Sequence, residues 1–245
     1  MSEQVTVNSP IRVFIGTDES QAVACAVLKA SILRRTKYPV EFTALCDLKC
    51  GVENKFYTGF SFYRWAIPQV CGYRGRAIYL DADIIAQGDI KDLWFYGTRA
   101  HTHYARPMQS RGGYYCSVMV IDCERARWPF KEWCEQAAAD RGFYKRVMWA
   151  HPNSPSAAGI GDLPADFNAM DQSGQLDHTR PLFAHYTAVP TQPWKKPGHP
   201  NEQLWLTELL AALDNGQLTQ PELERAIANR HVHGGLLRAL EKINA

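Results

Sequence analysis

The chain has 245 residues, of which 46% are hydrophobic and 21% are charged. This composition excludes a disordered protein, and the length suits one large α/β domain or one domain with a helical tail. A net charge of +2 does not indicate nucleic-acid binding, and no apolar run approaches the ~20 residues of a membrane-spanning helix. The polar N-terminus has no signal-peptide core, so we expect a cytoplasmic protein, with contact at the inner face of a membrane left open.

Cysteine usage agrees with that compartment. The seven cysteines include no Cys-x-x-Cys pair, and Cys46 and Cys50 have no second pair at zinc-ligand spacing. Most of them lie among apolar neighbours. This pattern predicts buried, reduced thiols in a reducing compartment.

The first part of the chain predicts alternating strands and helices. Residues 11–16 form an apolar run that ends in glycine and predicts a buried strand, and residues 40–46 predict a second strand. Between them, residues 22–35 predict a helix with Val23, Val27 and Ala30 on one face. Strand, helix and strand in this order indicate a right-handed parallel crossover in an α/β sheet.

The rest of the chain continues this pattern and then becomes helical. The predicted elements are a helix over 61–73 broken near Pro68 and ended by Gly72, strands over 77–80, 114–122 and 181–187, and helices over 88–94 and 128–140. Residues 150–166 are rich in Pro, Gly, Ser and Asn and predict a long functional loop. We predict a single domain over 1–245, with an α/β core over 10–200 and a helical C-terminal subdomain over 201–245.

The strongest chemical signal is Asp81-Ala82-Asp83, which lies between two apolar runs. Strand residues two apart point the same way, about 6–7 Å apart, so both carboxylates can face one cation. Carboxylate oxygens suit Mg²⁺ and Mn²⁺, and ligands of open α/β sheets bind at the C-terminal ends of strands. The sequence therefore favours a metal site, with a plain Asp-containing turn as the alternative.

Five further residues are candidates for the same site. Asp18 follows the first strand at the same sheet edge, unless it only caps the next helix. His185 would complete a set of two Asp and one His, the alternative being a core histidine. Lys195 and Lys196 can neutralise a diphosphate or form a solvated turn. Arg64, between two aromatic residues, can point at the carboxylates or at a phosphate.

Five segments carry a family resemblance. They are IRVFIGTDES, FSFYRWAIPQVCGYRGRAIYLDADIIAQGDIKDLW, CSVMVIDC, LPADFNAMD and HYTAVPTQPW. In this order they resemble nucleotide-sugar glycosyltransferases of family 8 type, the glycogenin and lipopolysaccharide hexosyltransferase group, over roughly residues 10–210. The resemblance implies the GT-A fold, a Rossmann-like nucleotide-binding sheet with a D-x-D motif, here followed by a C-terminal helical segment.

The resemblance also implies roles for individual residues. Asp81 and Asp83 are the implied metal ligands, with His185 as the third. The implied donor-binding residues are Gly16, Thr17, Asp18, Ser20, Arg64, Asp81 and Ala82, with Lys195 and Lys196 added on charge. The implied cofactor is Mn²⁺, with Mg²⁺ as the alternative, and the implied donor is a UDP-sugar used with retention.

The chain departs from the family pattern at three places. Cys116-Ser117-Val118 replaces the usual Asn-Ser/Ala-Gly, Gln192 replaces a Lys before Pro-Trp, and the Asp-Gln pair before the LP…N motif is absent. Asp166, Asp162 and the amide of Gln172 are the candidates for the catalytic group. The departures concern the acceptor and the sugar more than the metal and the nucleotide.

We therefore predict a metal-dependent hexosyltransferase. Its partners are a UDP-sugar donor and a glycan, lipid-linked or small-molecule acceptor, with no nucleic acid. The missing Asp-Gln pair motivates one alternative, a catalytically silent nucleotide-sugar-binding protein. A nucleotidyltransferase is the other, and the lack of a Gly-rich basic loop after the first strand counts against it.

Overall fold

The structure is a computed structural model that describes residues 9–46, 48, 58–110, 112–171 and 176–244. The strands are β1 (Ile11–Gly16), β2 (Val40–Leu45), β3 (Arg76–Asp81), β4 (Ile84–Ala86), β5 (His103–Pro107), β6 (Tyr114–Asp122), β7 (Ile160–Asp162), β8 (Ala169–Met170) and β9 (Phe183–His185). The helices are α1 (Ala22–Leu33), α2 (Ile67–Val70), α3 (Ile90–Trp94), α4 (Phe130–Ala139), α5 (Arg141–Met148), α6 (Glu202–Asp214), α7 (Gln220–Ala228) and α8 (Leu236–Asn244).

The strands form two sheets. The larger sheet has the order β2-β1-β3-β6-β5-β7, with β1 parallel to both β2 and β3 and with β6 antiparallel to β3 and β5. The smaller sheet has the order β4-β9-β8. The predicted α/β class and the parallel pairing of the first two strands are confirmed.

Side chains along the central strands point alternately to the two faces of the large sheet, and their apolar character explains why both faces are covered. In β1, Val13 and Ile15 pack with Leu28 of α1, whereas Phe14 packs on the other face against the cluster around Trp65. β3 alternates in the same way, and Ile78, Tyr79 and Leu80 are fully buried. Strands buried on both faces read as continuous apolar runs, which is why the sequence predicts them well.

The C-terminal helices pack on α1. The predicted apolar face of α1 is buried against α6 and α7, where Trp205, Leu209 and Leu223 lie. Arg35, two residues after the end of α1, donates to both carboxylate oxygens of Glu208 in α6, at 3.0 and 2.6 Å. α1 is thus a layer between the large sheet and the helical segment.

Several sequence predictions need correction. Pro68 lies in the first turn of α2 and starts that helix rather than breaking a longer one, because residues 61–66 form a 3-10 helix. The predicted loop over 150–166 contains β7, which pairs in parallel with β5. β5 and α5 were not predicted.

The cysteine prediction is correct in part. Cys25, Cys116, Cys123 and Cys134 are buried, but Cys71 is half-buried and Cys46 is exposed, while Cys50 lies outside the described residues. A search of the described helices finds none with the length and apolar character needed to span a bilayer.

Candidate active site

The D-x-D motif lies where the two sheets meet. Asp81 is the last residue of β3, level with Gly16 at the end of β1. Asp83 is not on the strand as predicted but in the turn that leads from β3 to β4. That turn is anchored because the Tyr186 amide donates to the Asp83 carbonyl at 2.9 Å. Since Ile84 pairs with His185 across β4 and β9, the turn brings the histidine beside both aspartates.

Three side chains converge at this junction. Asp81, Asp83 and His185 each offer one ligand atom, and these atoms lie within 4.8 Å of one another. Two carboxylates and an imidazole are a donor set that suits Mn²⁺, and the carboxylates also suit Mg²⁺. The three residues that the sequence predicted as metal ligands are therefore close enough to share one ion.

The tautomer of His185 follows from its neighbours. The amide nitrogen of Asn168 donates to Ser117 Oγ at 2.9 Å, which turns Asn168 Oδ1 toward His185 Nδ1 at 3.0 Å. Nδ1 must then carry a proton, and Nε2 is the ring nitrogen that faces Asp83 Oδ1, at 3.1 Å. Such an orientation is typical of a metal-binding histidine.

Asp83 Oδ1 is the atom that fits a cation best. It is buried and accepts no hydrogen bond in the described part of the chain, and its near neighbour is His185 Nε2 at 3.1 Å. A buried carboxylate oxygen without a donor is unfavourable unless a proton or metal ion approaches it. Burial alone would lower the pKa of His185, but the Asp83 carboxylate outweighs it and raises that pKa above its ordinary value.

Asp81 is held from the opposite side. Its Oδ1 accepts hydrogen bonds from Arg64 Nη2 at 3.0 Å and from the Tyr79 hydroxyl at 2.5 Å. Burial raises the pKa of Asp81 and outweighs the lowering effect of Arg64. Gly16 makes room for this arrangement, because a Cβ there would collide with the Tyr79 hydroxyl.

Arg64 is almost fully buried, which a surface arginine would not be. Besides Asp81, its guanidinium donates to the carbonyls of Ser61, at 2.8 Å, and Cys116. It also lies over the Tyr79 ring, 4.5 Å from the centroid. The predicted orientation toward the carboxylates is therefore the one in the structure.

Two cavities flank the junction. One of about 310 Å³ is lined by Arg64, Asp81, Tyr115, Cys116, Ser117, Met148, Trp149, Met170, His185 and Thr187. A larger one of about 780 Å³ lies between the β1–α1 loop, the end of β2 and α7. Thr17 and Asp18 line the larger cavity, and Asp18 accepts from Ser20 Oγ at 2.6 Å rather than capping the helix.

The remaining candidates line neither cavity or lie outside the described residues. Lys195 donates to the His231 carbonyl at 3.0 Å, and Lys196 is exposed. Asp166 does not line either cavity, and Asp162 accepts from Tyr114 at 2.9 Å. Gln172 lies outside the described residues.

Sequence reasoning did not find three residues that orient the candidate metal ligands: Tyr79, Asn168 and Gln192. Gln192 donates to Asp83 Oδ2 at 3.0 Å, and it was noted only as a departure from the family pattern. Asn168 and Gln192 lie 17 and 109 positions from the residues they contact, and a tyrosine beside the aspartates carries no motif of its own, so only the fold reveals these contacts.

Comparison with known proteins agrees with this geometry. The family model described as glycosyl transferase family 8 matches residues 17–111. "Protein CDI" of Arabidopsis thaliana is 32% identical in an alignment that covers 82% of this chain and 86% of that protein. The chain belongs to glycosyl transferase family 8.

Solved structures show the fold of this family 8 member. The bifunctional glycosyltransferase WbbM matches with a TM-score of 0.66 at 13% identity, and the alignment covers 91% of this chain but only 52% of WbbM. The galactosyltransferase LgtC, crystallised with donor and acceptor sugar analogues, matches with a TM-score of 0.60 at 16% identity over 85% of this chain and all of LgtC. The predicted GT-A fold is confirmed, and the chain spans about half the length of WbbM.

Proposed function

We propose that this glycosyltransferase moves a hexose from a UDP-sugar to an acceptor hydroxyl, with retention, and that Asp81, Asp83 and His185 hold Mn²⁺ or Mg²⁺. The convergence of three ligand atoms within 4.8 Å carries the proposal. Each of these side chains is fixed by a hydrogen bond on its other side. A site ordered in this way binds a metal without rearranging its ligands.

The proposed chemistry divides between the ion and the protein. A bound divalent ion supplies positive charge for the departing diphosphate. The protein orients the ligands: Tyr79 and Arg64 hold Asp81, and Asn168 fixes the tautomer of His185. Arg64 lines the smaller cavity, where its buried charge would stabilise negative charge on the donor.

The cavities suggest where the substrates lie. We place the nucleoside along Gly16, Thr17, Asp18 and Ser20, beside the larger cavity. The smaller cavity would take the reacting sugar and the acceptor. Tyr115 and the 40% exposed Trp149 line it, and flat aromatic faces suit the apolar side of a sugar ring. The proposed acceptor is a glycan, a lipid-linked saccharide or a small molecule.

A direct assay tests the proposal. UDP release from a panel of UDP-sugars would be measured with Mn²⁺, with Mg²⁺ and with a chelator. We expect metal-dependent release that falls at least about 100-fold in Asp83→Ala, because removing a ligand removes the ion. Asp92→Ala, which removes an exposed carboxylate on α3, is the matched control and should keep full activity. Unchanged turnover of Asp83→Ala would rule out the metal role.

One observation favours a second candidate function, nucleotide-sugar binding without transfer. Among the described residues that line the smaller cavity, Asp81 is the only carboxylate, so none beyond the metal set is placed as a nucleophile. Titration calorimetry that shows UDP-sugar binding, together with neither hydrolysis nor transfer to any acceptor, would support this candidate over the enzyme.

A further inference from the structure

Gln192 makes two buried contacts with its amide group. It follows a short 3-10 turn after β9, and its side chain is only 3% exposed. Its Nε2 donates to Asp83 Oδ2 at 3.0 Å and to the Tyr186 carbonyl at 2.8 Å. Because both amide hydrogens have acceptors, the direction of each is fixed.

These contacts select one orientation of the Asp83 carboxylate. The terminal torsion of an aspartate has broad, two-fold preferences, so the carboxylate rotates readily without a partner. Here Oδ2 points at Gln192, and Oδ1 therefore faces His185 Nε2 at 3.1 Å. Since Tyr186 also anchors the Asp83 backbone, Gln192 ties the side chain to the same strand end.

We infer that Gln192 is a positioning residue that aims Asp83 at the divalent ion, an inference that rests on the proposed metal-dependent function. Gln192 is neutral and does not touch the ion, so it acts through Asp83. Loss of such an outer partner typically weakens metal binding by about 10–100-fold.

Manganese binding tests the inference without turnover. Free Mn²⁺ would be titrated with protein and followed by electron paramagnetic resonance for the natural chain and for Gln192→Met, which has a similar volume but no donor. We expect the Kd for Mn²⁺ to rise by about 10–100-fold. Gln136→Met, which changes an exposed glutamine on α4, is the matched control and should leave the Kd unchanged.

Thermal unfolding in a chelator checks that each variant is folded. Should Gln192→Met fail to fold, Gln192→Ser decides, because serine leaves room for water at the Tyr186 carbonyl. Mn²⁺ binding by the natural chain with an unchanged Kd in the folded variant would overturn the inference. No Mn²⁺ binding by the natural chain would overturn the proposed function instead.

Discussion

The Arg64–Asp81 ion pair places a charge where little water reaches it. The side chains are 5% and 23% exposed, and Arg64 has two further carbonyl acceptors. Removing one partner of such a pair leaves the other charge uncompensated. The pair therefore supports both the proposed metal ligand Asp81 and the fold around it.

Arg64→Met should destabilise the protein markedly. We expect the free energy of unfolding to fall by about 3 kcal/mol, because Asp81 and two buried carbonyls lose their donor. Urea denaturation measures this. Arg34→Met is the matched control: Arg34 is 41% exposed and 3.6 Å from Glu208, so its loss should cost less than about 1 kcal/mol. Equal losses in the two variants would contradict the buried-pair argument.

His103 makes stability depend on pH. It is fully buried against Trp65 and Trp128, its Nδ1 contacts Thr102 Oγ1 at 2.9 Å, and its Nε2 has no partner in the described structure. Burial, helped slightly by His101, lowers its pKa to about 3. The neutral ring is therefore favoured in the folded state.

The sign of the pH effect follows from that depression. The stabilisation that the folded protein gains by keeping His103 neutral is fully present above the unfolded-state pKa of about 6.5. It is lost as the pH falls toward the folded-state pKa of His103. At pH 5 the loss amounts to about 2 kcal/mol. In His103→Gln, urea denaturation across pH 7 to 4 should show a shallower decline than in His178→Gln, which changes a half-buried surface histidine. Parallel declines would refute the assignment.

Residue chemistry explains which parts of the site the sequence predicts. Asp81, Asp83 and His185 are found because charged or polar residues at the ends of apolar runs are conspicuous. Gln192 lies 109 positions from Asp83, and nothing local links them. Their contact depends on how β4 pairs with β9, which sequence patterns do not specify.

Among the elements, the turn before β6 shapes the mouth of the smaller cavity. The Tyr114 amide donates to the Trp149 carbonyl at 2.6 Å, which ties β6 to the end of α5. Gly113 makes this approach feasible: its φ is 93°, and a Cβ there would collide with the Trp149 carbonyl oxygen. The neighbouring Gly112 has a φ of 62° but only ordinary contacts with Pro152.

These two glycines form a matched pair of substitutions. Gly112→Ala should lower the free energy of unfolding by about 1 kcal/mol, the penalty of a left-handed backbone. Gly113→Ala should cost about 3 kcal/mol or more, because a backbone collision adds to that penalty. Urea denaturation of both variants measures the difference. If the two were equally stable, the close approach at Trp149 would be refuted.

Element prediction succeeds where the apolar pattern along the sequence is clear and fails where charged residues, Pro or Gly interrupt it. β1, β3 and β6 are continuous apolar runs, and each was predicted within a residue or so of its bounds. β5 reads HYARP, with charged and Pro residues, and it forms because β6 and β7 supply partners. α5 has glycine at its second position and three basic residues, so its helical pattern is weak in isolation.

In the whole molecule, the candidate site depends on how the large sheet, the small sheet and the helical segment are joined. Asp81 belongs to the large sheet, while His185 belongs to the small one, and the Asp83 turn connects them. Ile85 and Ala184 of the small sheet share a buried cluster with α1 and the C-terminal helices. The helical segment therefore helps to fix one sheet against the other.

We propose that the chain over 1–245 unfolds as one domain, because α1 packs on both the core and the helical segment. Leu209 of α6 is fully buried in the cluster on α1. Leu209→Ala should lower the free energy of unfolding by about 3 kcal/mol. The half-buried Leu210 on the same helix is the matched control, and Leu210→Ala should cost less.

Cooperativity distinguishes one unit from two. If the layers unfold together, far-ultraviolet circular dichroism and tryptophan fluorescence should give one midpoint in urea, and Leu209→Ala should shift both signals equally. Fluorescence reports on both parts of the molecule, because Trp65, Trp128 and Trp133 pack on the opposite face of the large sheet from α1, whereas Trp205 lies on α6. Separate midpoints, or a shift of the helical signal alone, would show that residues 201–245 are an independent unit on which the site does not rely.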